Sequence, residues 1–202
     1  MLKAPRLGTV KTRLGMDAEA ACAAYRGLAE AVLAQLAPCQ GVELRFTPAD
    51  AEPEIRPWLR PGWRAKAQCE GDLGARLCAA FASEFESAAE RVVVIGADCP
   101  YVTADDIQMA WDRLRSCDVV LGPAEDGGYW LIGLRESRPE LFEGIPWSSE
   151  RVLAETLARA KALGLTTHLL RTLSDVDTRE DWERFISAAT PAPPPRQSPA
   201  AD

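Results

Sequence analysis

Short apolar runs alternate with helical patterns along most of this chain. Continuous or alternating apolar positions over four to eight residues, rich in Val, Ile and Leu, are typical of strands. The Val-rich run at residues 92–96 has no polar member before Gly96, which indicates a strand buried on both faces. The predicted strands cover residues 42–47, 92–96, 118–122, 129–134 and 166–171.

Apolar residues spaced three or four apart predict helices between these strands. The first helix has Asp17 at its start and ends before Pro38. Two Thr-x-x-Asp sequences, at 103–106 and 178–181, resemble capping boxes and predict the starts of two more helices. The remaining helices are predicted around Leu77, Phe81 and Phe85, and from Ser148 or Ser149 to Gly164.

Strands that alternate with helices predict a three-layer α/β/α domain with a mostly parallel sheet. We assign residues 1–189 to this single domain, with a proline-bracketed loop over the sheet edge at 48–70. Residues 190–202 contain five prolines and no large apolar residue, so a disordered tail is expected there. Only Met1 and Leu2 precede a basic stretch, so the first strand is expected to be truncated or the true start to lie upstream.

The chain carries 23 basic and 30 acidic side chains, a net charge of -7. This acidic balance disfavours non-specific binding to nucleic acid or to an anionic membrane. The longest apolar run, at 92–95, is too short to span a bilayer, and no secretion signal is evident. Six irregularly spaced cysteines and a single histidine, His168, argue against a zinc site and predict reduced thiols in a cytoplasmic protein.

The basic stretch at the start of the chain is the first candidate for chemistry. Lys3, Arg6, Lys11 and Arg13 lie within eleven residues, and Gly8 permits a turn among them. Lysine and arginine on such a turn suit phosphate groups, although the spacing is not that of a Walker motif. The alternative is a frayed, merely basic chain end.

Loops that follow parallel strands meet at one edge of a sheet, where ligands bind. Asp98 lies in such a loop and could hold a hard cation or simply cap a turn, two interpretations of equal weight. Asp126, Gly127 and Gly128 could face a ligand, although Asp-Gly alone is a hairpin signal and the hairpin is favoured.

Two further segments have a local structural alternative. Gly71, Asp72 and Gly74 stand at a predicted helix start, where free amides suit an anionic ligand, but Asp72 could be only the N-cap. Asp177 could be a second metal ligand, yet a turn or capping role for the Asp175–Thr178 segment weighs more on sequence alone.

Five motifs, taken together and in order, resemble a bacterial family of GT-A-like transferases in the nucleotide-diphospho-sugar transferase superfamily. This family is often called the radical-SAM/selenodomain-associated transferases. A more distant similarity is to guanylyltransferases that activate 2-phospholactate or phosphoenolpyruvate, and to molybdenum-cofactor nucleotidyltransferases. The motifs are KAPRLGTVKTRL (3–14), GDLGARL (71–77), GADCP (96–100), GPAEDGGY (122–129) and PWS (146–148).

The resemblance implies roles for the basic loop and the first aspartate. Lys11 and Arg13 would hold phosphates, and Lys3 and Gly8 would shape their loop. Asp98 would be the principal ligand of Mg²⁺ or Mn²⁺, and Lys11, Arg13 and Asp98 would be the catalytic residues. The family has a hydrophobic strand before Lys3, which this sequence lacks.

The resemblance also implies roles for the remaining motifs. Asp177 would be the second metal ligand. The base or ribose would lie near Gly71, Asp72 and Gly74. The acceptor would face Asp126, Gly127 and Gly128.

The implied function is Mg²⁺-dependent transfer of a nucleotidyl group from a nucleoside triphosphate to a small phosphorylated or carboxylated acceptor. Glycosyl transfer from a nucleotide sugar is the close alternative, because the fold and metal would be the same. An inert nucleotide- or partner-binding protein on this fold is the third interpretation. The oligomeric state stays open, with a homodimer as one alternative.

Overall fold

The structure, a computed structural model, describes residues 1–189, so the expected tail at 190–202 lies outside the described residues. Strands alternate with helices along these residues, except at 119–134, where two strands follow each other. The strands are β1 (Leu2–Lys3), β2 (Glu43–Thr47), β3 (Arg64–Ala67), β4 (Val92–Ile95), β5 (Val119–Pro123), β6 (Tyr129–Leu134) and β7 (Thr167–Leu169). The α-helices are α1 (Ala18–Gln35), α2 (Glu52–Ile55), α3 (Leu73–Glu86), α4 (Ala104–Arg113), α5 (Val152–Ala162) and α6 (Arg179–Ala189).

The strands form two sheets. Sheet A has the order β1-β2-β3 and is parallel throughout. Sheet B has the order β4-β6-β5-β7, in which β6 is antiparallel to both of its neighbours and β7 is parallel to β5. Strands β4, β5 and β7 therefore run in one direction, and their carboxyl ends lie at the same edge. The mostly parallel α/β architecture is confirmed, with β6 as the antiparallel exception.

Helices cover sheet B on both faces. Alternate side chains of each strand point to opposite sides of the sheet, so each face offers apolar side chains on which a helix can pack. Val92 and Val94 of β4 pack into an apolar cluster with residues of α3 and α5. Val93 and Ile95 point the other way and pack with residues of α4. Sheet A packs on α1 through a third cluster. This arrangement leaves the loops at the carboxyl edge of sheet B free to form a site.

A cleft lies between β2 of sheet A and β4 of sheet B. Strand β1 is two residues long, and the backbone nitrogen of Met1 donates to the carbonyl of Ile95 at 2.6 Å. Next to this contact, a cavity of about 1010 Å³ lies between β2 and β4, with Leu33, Leu44 and Val93 among its lining residues. Within residues 1–189, β4 has a strand partner on one side only.

Two sequence-based boundaries were wrong. The predicted loop at 48–70 contains α2 and also β3, the edge strand of sheet A. Strand β3 has the sequence RAKA, whose charged residues are exposed, so it offers no apolar run to recognise. Helix α5 begins at Val152 rather than at Ser148 or Ser149, because the Ser149 hydroxyl donates to the Pro146 carbonyl and holds a turn there.

The capping predictions were more accurate. Asp17 accepts a hydrogen bond from the Ala20 amide at 2.8 Å and caps α1. Thr103 and Asp106 form a reciprocal capping box at α4. Thr178 and Asp181 exchange hydrogen bonds in the same way before α6. Local capping chemistry thus positions the helices that flank the carboxyl edge.

Two further observations concern the whole described chain. All six cysteines, which lie between residues 22 and 117, are free thiols in the structure. Over residues 1–189, none of the helices has the length and apolar character needed to cross a membrane.

Candidate active site

Loops following β4, β5 and β7 converge at the carboxyl edge of sheet B. The amide of Val176 donates to the carbonyl of Asp98 at 3.1 Å, which joins the loops after β7 and β4. The amide of Glu125 donates to the carbonyl of Leu173 at 3.0 Å, which joins the loops after β5 and β7. Backbone hydrogen bonds therefore fix the relative positions of Asp98 and the aspartates at 126, 175 and 177.

Lys11 enters this edge from the basic stretch that follows β1. Its backbone is left-handed (φ 48°), immediately before a short 3-10 turn at Thr12–Leu14. The Lys11 Nζ lies 2.6 Å from Asp98 Oδ1 and 2.8 Å from Asp177 Oδ1, and only 4% of the side chain is exposed. The structure therefore brings together the three residues that the sequence analysis placed in separate phosphate and metal roles.

The charge state of Lys11 follows from these contacts. Burial alone would lower the pKa of Lys11, but the carboxylates of Asp98 and Asp177 outweigh it, and the net effect raises the pKa. The ammonium is therefore charged at neutral pH. Arg13 is 79% exposed, with its Nη1 3.8 Å from Asp177 Oδ2, so its guanidinium stays available to a ligand.

Asp175 is a member of this cluster that the sequence analysis assigned to a turn. Burial, followed by the nearby charges of Asp98, Asp126 and Asp177, raises the pKa of Asp175 to about 7. Four carboxyl groups thus lie in one cluster, and two of them, those of Asp98 and Asp177, contact the buried ammonium of Lys11. The Asp-x-Asp spacing after a strand was the available signal, but burial of the first aspartate depends on tertiary packing.

The loop at Asp126–Gly128 lies against the start of α5. The Gly128 amide donates to Asp126 Oδ1 at 2.8 Å, and the Leu153 amide donates to the Gly127 carbonyl at 2.9 Å. Gly127 has φ 85°, and a Cβ at this position would lie 2.1 Å from the Glu150 carbonyl oxygen. Gly127 is therefore required for this close approach, and the turn leaves Asp126 near enough to Asp175 for its charge to help raise the pKa of Asp175.

The Gly71–Gly74 segment follows β3 and starts α3. Asp72 caps that helix by accepting from the Ala75 amide at 2.9 Å, as its structural alternative predicted. A Cβ on Gly74 would lie 2.6 Å from Trp147 Nε1, so the indole packs directly on the helix backbone. The GDLG and PWS motifs are therefore in contact. Among the hydrogen bonds and ion pairs of residues 1–189, none links this segment to Lys11.

Lys3 and Gly8 shape the basic stretch through their backbone hydrogen bonds and backbone conformation. The Lys3 amide donates to the Tyr25 hydroxyl at 2.8 Å, and that hydroxyl donates back to the Lys3 carbonyl at 3.0 Å. Gly8 has φ 70°, a conformation that side chains disfavour. Tyr25 of α1, which the sequence analysis placed only on an apolar face, thus orients the start of the stretch that carries Lys11.

An ion pair outside the cluster supports the Asp98 loop. Arg171 Nε and Nη2 each donate to a carboxylate oxygen of Asp106 at 2.7 Å, and Nη2 also donates to the Tyr101 carbonyl at 3.1 Å. Although burial opposes the shift, hydrogen bonds from Arg171 and Thr103 lower the pKa of Asp106. The bidentate contact fixes the segment after β7 against the N-terminus of α4.

We expect Asp106→Asn to lower the free energy of unfolding at pH 7 by about 1–3 kcal/mol, because one partner of a charged hydrogen-bonded pair is lost. The folded pKa of Asp106 is lowered, so its contribution is complete above the unfolded value of about 4 and is lost as pH falls through the folded value. Urea denaturation of both proteins at a series of pH values from 7 to 3 should show the difference shrinking. Asp112→Asn, on the exposed face of α4, is the control; a pH-independent difference would contradict the ion-pair explanation.

Part of the chain, including two segments of this site, matches a known protein family. Residues 30–149 match a family described as "Uncharacterized protein conserved in bacteria (DUF2064)". The chain belongs to this family. The matched segment includes Asp98 and the loop at 126–128 but neither Lys11 nor Asp177, so the positions of those two residues in the site come from the structure alone.

One curated relative is a phosphoenolpyruvate guanylyltransferase from Chloroflexus aggregans (strain MD-66 / DSM 9485). It is 32% identical over 127 residues, which cover 62% of this chain. The alignment spans 61% of the relative's own length, so about two fifths of that protein lies outside the alignment.

Solved structures confirm the predicted GT-A-like fold. A structure from Desulfovibrio desulfuricans G20, named provisionally as a nucleotide-diphospho-sugar transferase, is 32% identical with a TM-score of 0.86. The alignment covers 98% of this chain and 90% of that one. A manganese complex of Rv0371C from Mycobacterium tuberculosis H37Rv is 18% identical with a TM-score of 0.53, covers 93% and 96% of the two chains, and supports the fold only.

Proposed function

We propose that this protein is a nucleotidyltransferase, which transfers a nucleotidyl group from a nucleoside triphosphate to a small phosphorylated or carboxylated acceptor. The observation that carries the proposal is the position of the basic stretch: Lys11 and Arg13 stand beside Asp98 and Asp177 at the carboxyl edge of the sheet. The relationship to a phosphoenolpyruvate guanylyltransferase supports this chemistry over other reactions of the fold.

The proposal includes a divalent cation, Mg²⁺ or Mn²⁺. Within residues 1–189, no three His, Cys, Asp or Glu side chains are arranged as a ready metal site. The oxygens of Asp98 and Asp177 nevertheless hold one cation between them, the ammonium of Lys11, and such oxygens are the ligands that Mg²⁺ prefers. These residues therefore fit a metal, and Asp98 and Asp177 would hold it. A metal bound there would neutralise phosphate charge.

The chain's own residues would position the substrates. Arg13 would contact phosphate oxygens through its planar guanidinium, and Lys11 as a point charge. An acceptor oxygen would attack the α-phosphorus in line, and pyrophosphate would leave. We place the base or ribose near Gly71, Asp72 and Gly74, and the acceptor near Asp126, Gly127 and Gly128. The enzyme would contribute positioning and charge rather than a covalent intermediate.

Glycosyl transfer is the second candidate, because the similar structure from Desulfovibrio desulfuricans G20 carries a nucleotide-diphospho-sugar transferase name. The two reactions differ in the leaving group: nucleotidyl transfer releases pyrophosphate, and glycosyl transfer releases a nucleoside diphosphate. Two basic side chains at the site favour the more highly charged triphosphate.

Release of the leaving group tests the proposal directly. The protein is incubated with each of ATP, GTP, CTP and UTP, with phosphoenolpyruvate or 2-phospholactate, and with Mg²⁺, Mn²⁺ or EDTA. We expect pyrophosphate only with one triphosphate, an acceptor and a metal together. Release of nucleoside diphosphate from UDP-glucose or GDP-mannose would replace the proposal with glycosyl transfer. A folded protein whose melting temperature no nucleotide raises would indicate an inert relative.

A further inference from the structure

Lys11 is more deeply buried than a phosphate-binding lysine needs to be. Its side chain is 4% exposed, whereas its two carboxylate partners are about half exposed, at 52% for Asp98 and 47% for Asp177. The Lys11 ammonium donates a charge-assisted hydrogen bond to Asp177 Oδ1 at 2.8 Å and forms an ion pair with Asp98 Oδ1 at 2.6 Å. The ammonium therefore occupies the space between the two carboxylates, and a metal ligated by both would need that same space.

We infer that Lys11 is an internal counter-ion that holds the cation position in the metal-free protein and is displaced by the divalent cation. Once displaced, its ammonium becomes available to the phosphates of the nucleotide. The inference rests on the proposed function and assigns Lys11 a second role, that of controlling when metal binds.

The negative charges around the space between the Asp98 and Asp177 carboxylates explain why a cation is needed there. Asp98 and Asp177 face each other across the ammonium, and Asp126 and Asp175 add further acidic groups. Without Lys11 the carboxylates would repel one another at short range. A metal and an ammonium cannot both sit between the same two oxygens, because their like charges would repel in turn.

This exchange couples metal binding to nucleotide binding. Metal alone must break two ion pairs and leave a buried lysine without a partner, so it should bind weakly. The triphosphate supplies new anionic partners for Lys11, and the neighbouring Arg13 is already exposed toward solvent at that place. Metal and nucleotide should therefore each raise the affinity for the other, as thermodynamic linkage requires.

The first test is Mn²⁺ binding, measured by electron paramagnetic resonance and calorimetry in wild-type protein and in Lys11→Met. Without nucleotide, we expect Lys11→Met to bind Mn²⁺ at least about 10-fold more tightly than wild type, because no ammonium has to be displaced. The gain in Mn²⁺ affinity caused by a triphosphate should be smaller in Lys11→Met than in wild type, because no ammonium is left to move to the phosphates. Arg13→Met is the matched control, since it removes an exposed cation of the same stretch: its triphosphate affinity should fall while its Mn²⁺ affinity stays within about twofold of wild type.

The outcomes separate the inference from the proposed function. Equal or weaker Mn²⁺ binding by Lys11→Met, in a series where wild type binds Mn²⁺ with nucleotide, would overturn the inference and leave the transferase proposal standing. Failure of wild type to bind Mn²⁺ even with nucleotides would overturn both.

A second measurement uses wild-type protein and does not depend on whether the variant folds. An amine-reactive reagent and mass spectrometry report the labelling rate of each lysine. Lys11 should be protected in EDTA and should label several-fold faster when Mg²⁺ is added without nucleotide, while Lys66 and Lys161 on other surfaces should not change. A labelling rate of Lys11 that is independent of Mg²⁺ at saturating concentration would overturn the inference.

Discussion

Asp98→Asn should lower kcat/KM for nucleotidyl transfer by on the order of 100- to 1000-fold while the protein stays folded. The substitution keeps the size of the side chain but removes the charge that would hold the metal and that now binds Lys11. Losses of this order are typical when one group that stabilises transition-state charge is removed. Pyrophosphate release under saturating metal is the measurement, with thermal unfolding alongside it.

The matched control for Asp98 is Asp105→Asn, which removes the same charge from an exposed position on α4. We expect its kcat/KM to remain within about twofold of wild type. Asp98 is half exposed and Asp177 remains beside Lys11, so the change in melting temperature from Asp98→Asn should be small. Full activity in the folded Asp98→Asn protein would remove this residue from the metal site.

Gly127→Ala should lower the free energy of unfolding by about 3 kcal/mol or more. Two costs add at this position: a left-handed backbone, and a methyl group that would overlap the Glu150 carbonyl at 2.1 Å. Because Glu150 O is a backbone atom at the start of α5, relief requires the whole helix start to move. Urea denaturation monitored by tryptophan fluorescence measures the loss.

Gly62→Ala separates the two costs of the Gly127 substitution. Gly62 has nearly the same φ, 81° against 85°, but a Cβ there would meet no atom within 4 Å. Its replacement should cost only the conformational part, about 1 kcal/mol. Equal losses from the two substitutions would mean that the contact with Glu150 is not what constrains the loop.

The features that could be predicted from sequence are local ones. The capping sequences at 103–106 and 178–181 correctly marked helix starts, because their hydrogen bonds join residues three positions apart. Strand β3 was missed because an edge strand with alternating charged residues need not bury both faces. The antiparallel direction of β6 was signalled by the short loop after β5, whose Asp-Gly pair is typical of a hairpin.

The candidate site was predictable as a set of positions but not as a set of contacts. The convergence of Asp98, Asp126 and Asp177 follows from the rule that loops after parallel strands share an edge. The ion pair between Lys11 and Asp177 joins residues 166 positions apart, which no local pattern can indicate. The raised pKa of Asp175 likewise depends on burial by segments distant in sequence. The roles of these residues in binding and chemistry stay predictions.

Because a cleft lies between the two sheets, the cation between Asp98 and Asp177 also affects how the sheets are held together. Lys11 belongs to the segment after β1 in sheet A, whereas Asp98 and Asp177 belong to loops of sheet B. No strand pairing among residues 1–189 joins the two sheets, and one backbone hydrogen bond, from Met1 to Ile95, crosses between β1 and β4. The Lys11 ammonium therefore helps to hold sheet A against sheet B. Because both carboxylates belong to sheet B, replacing the ammonium by a metal would remove this link, and the phosphates of a bound nucleotide, in contact with Lys11, would then have to join the two halves of the molecule.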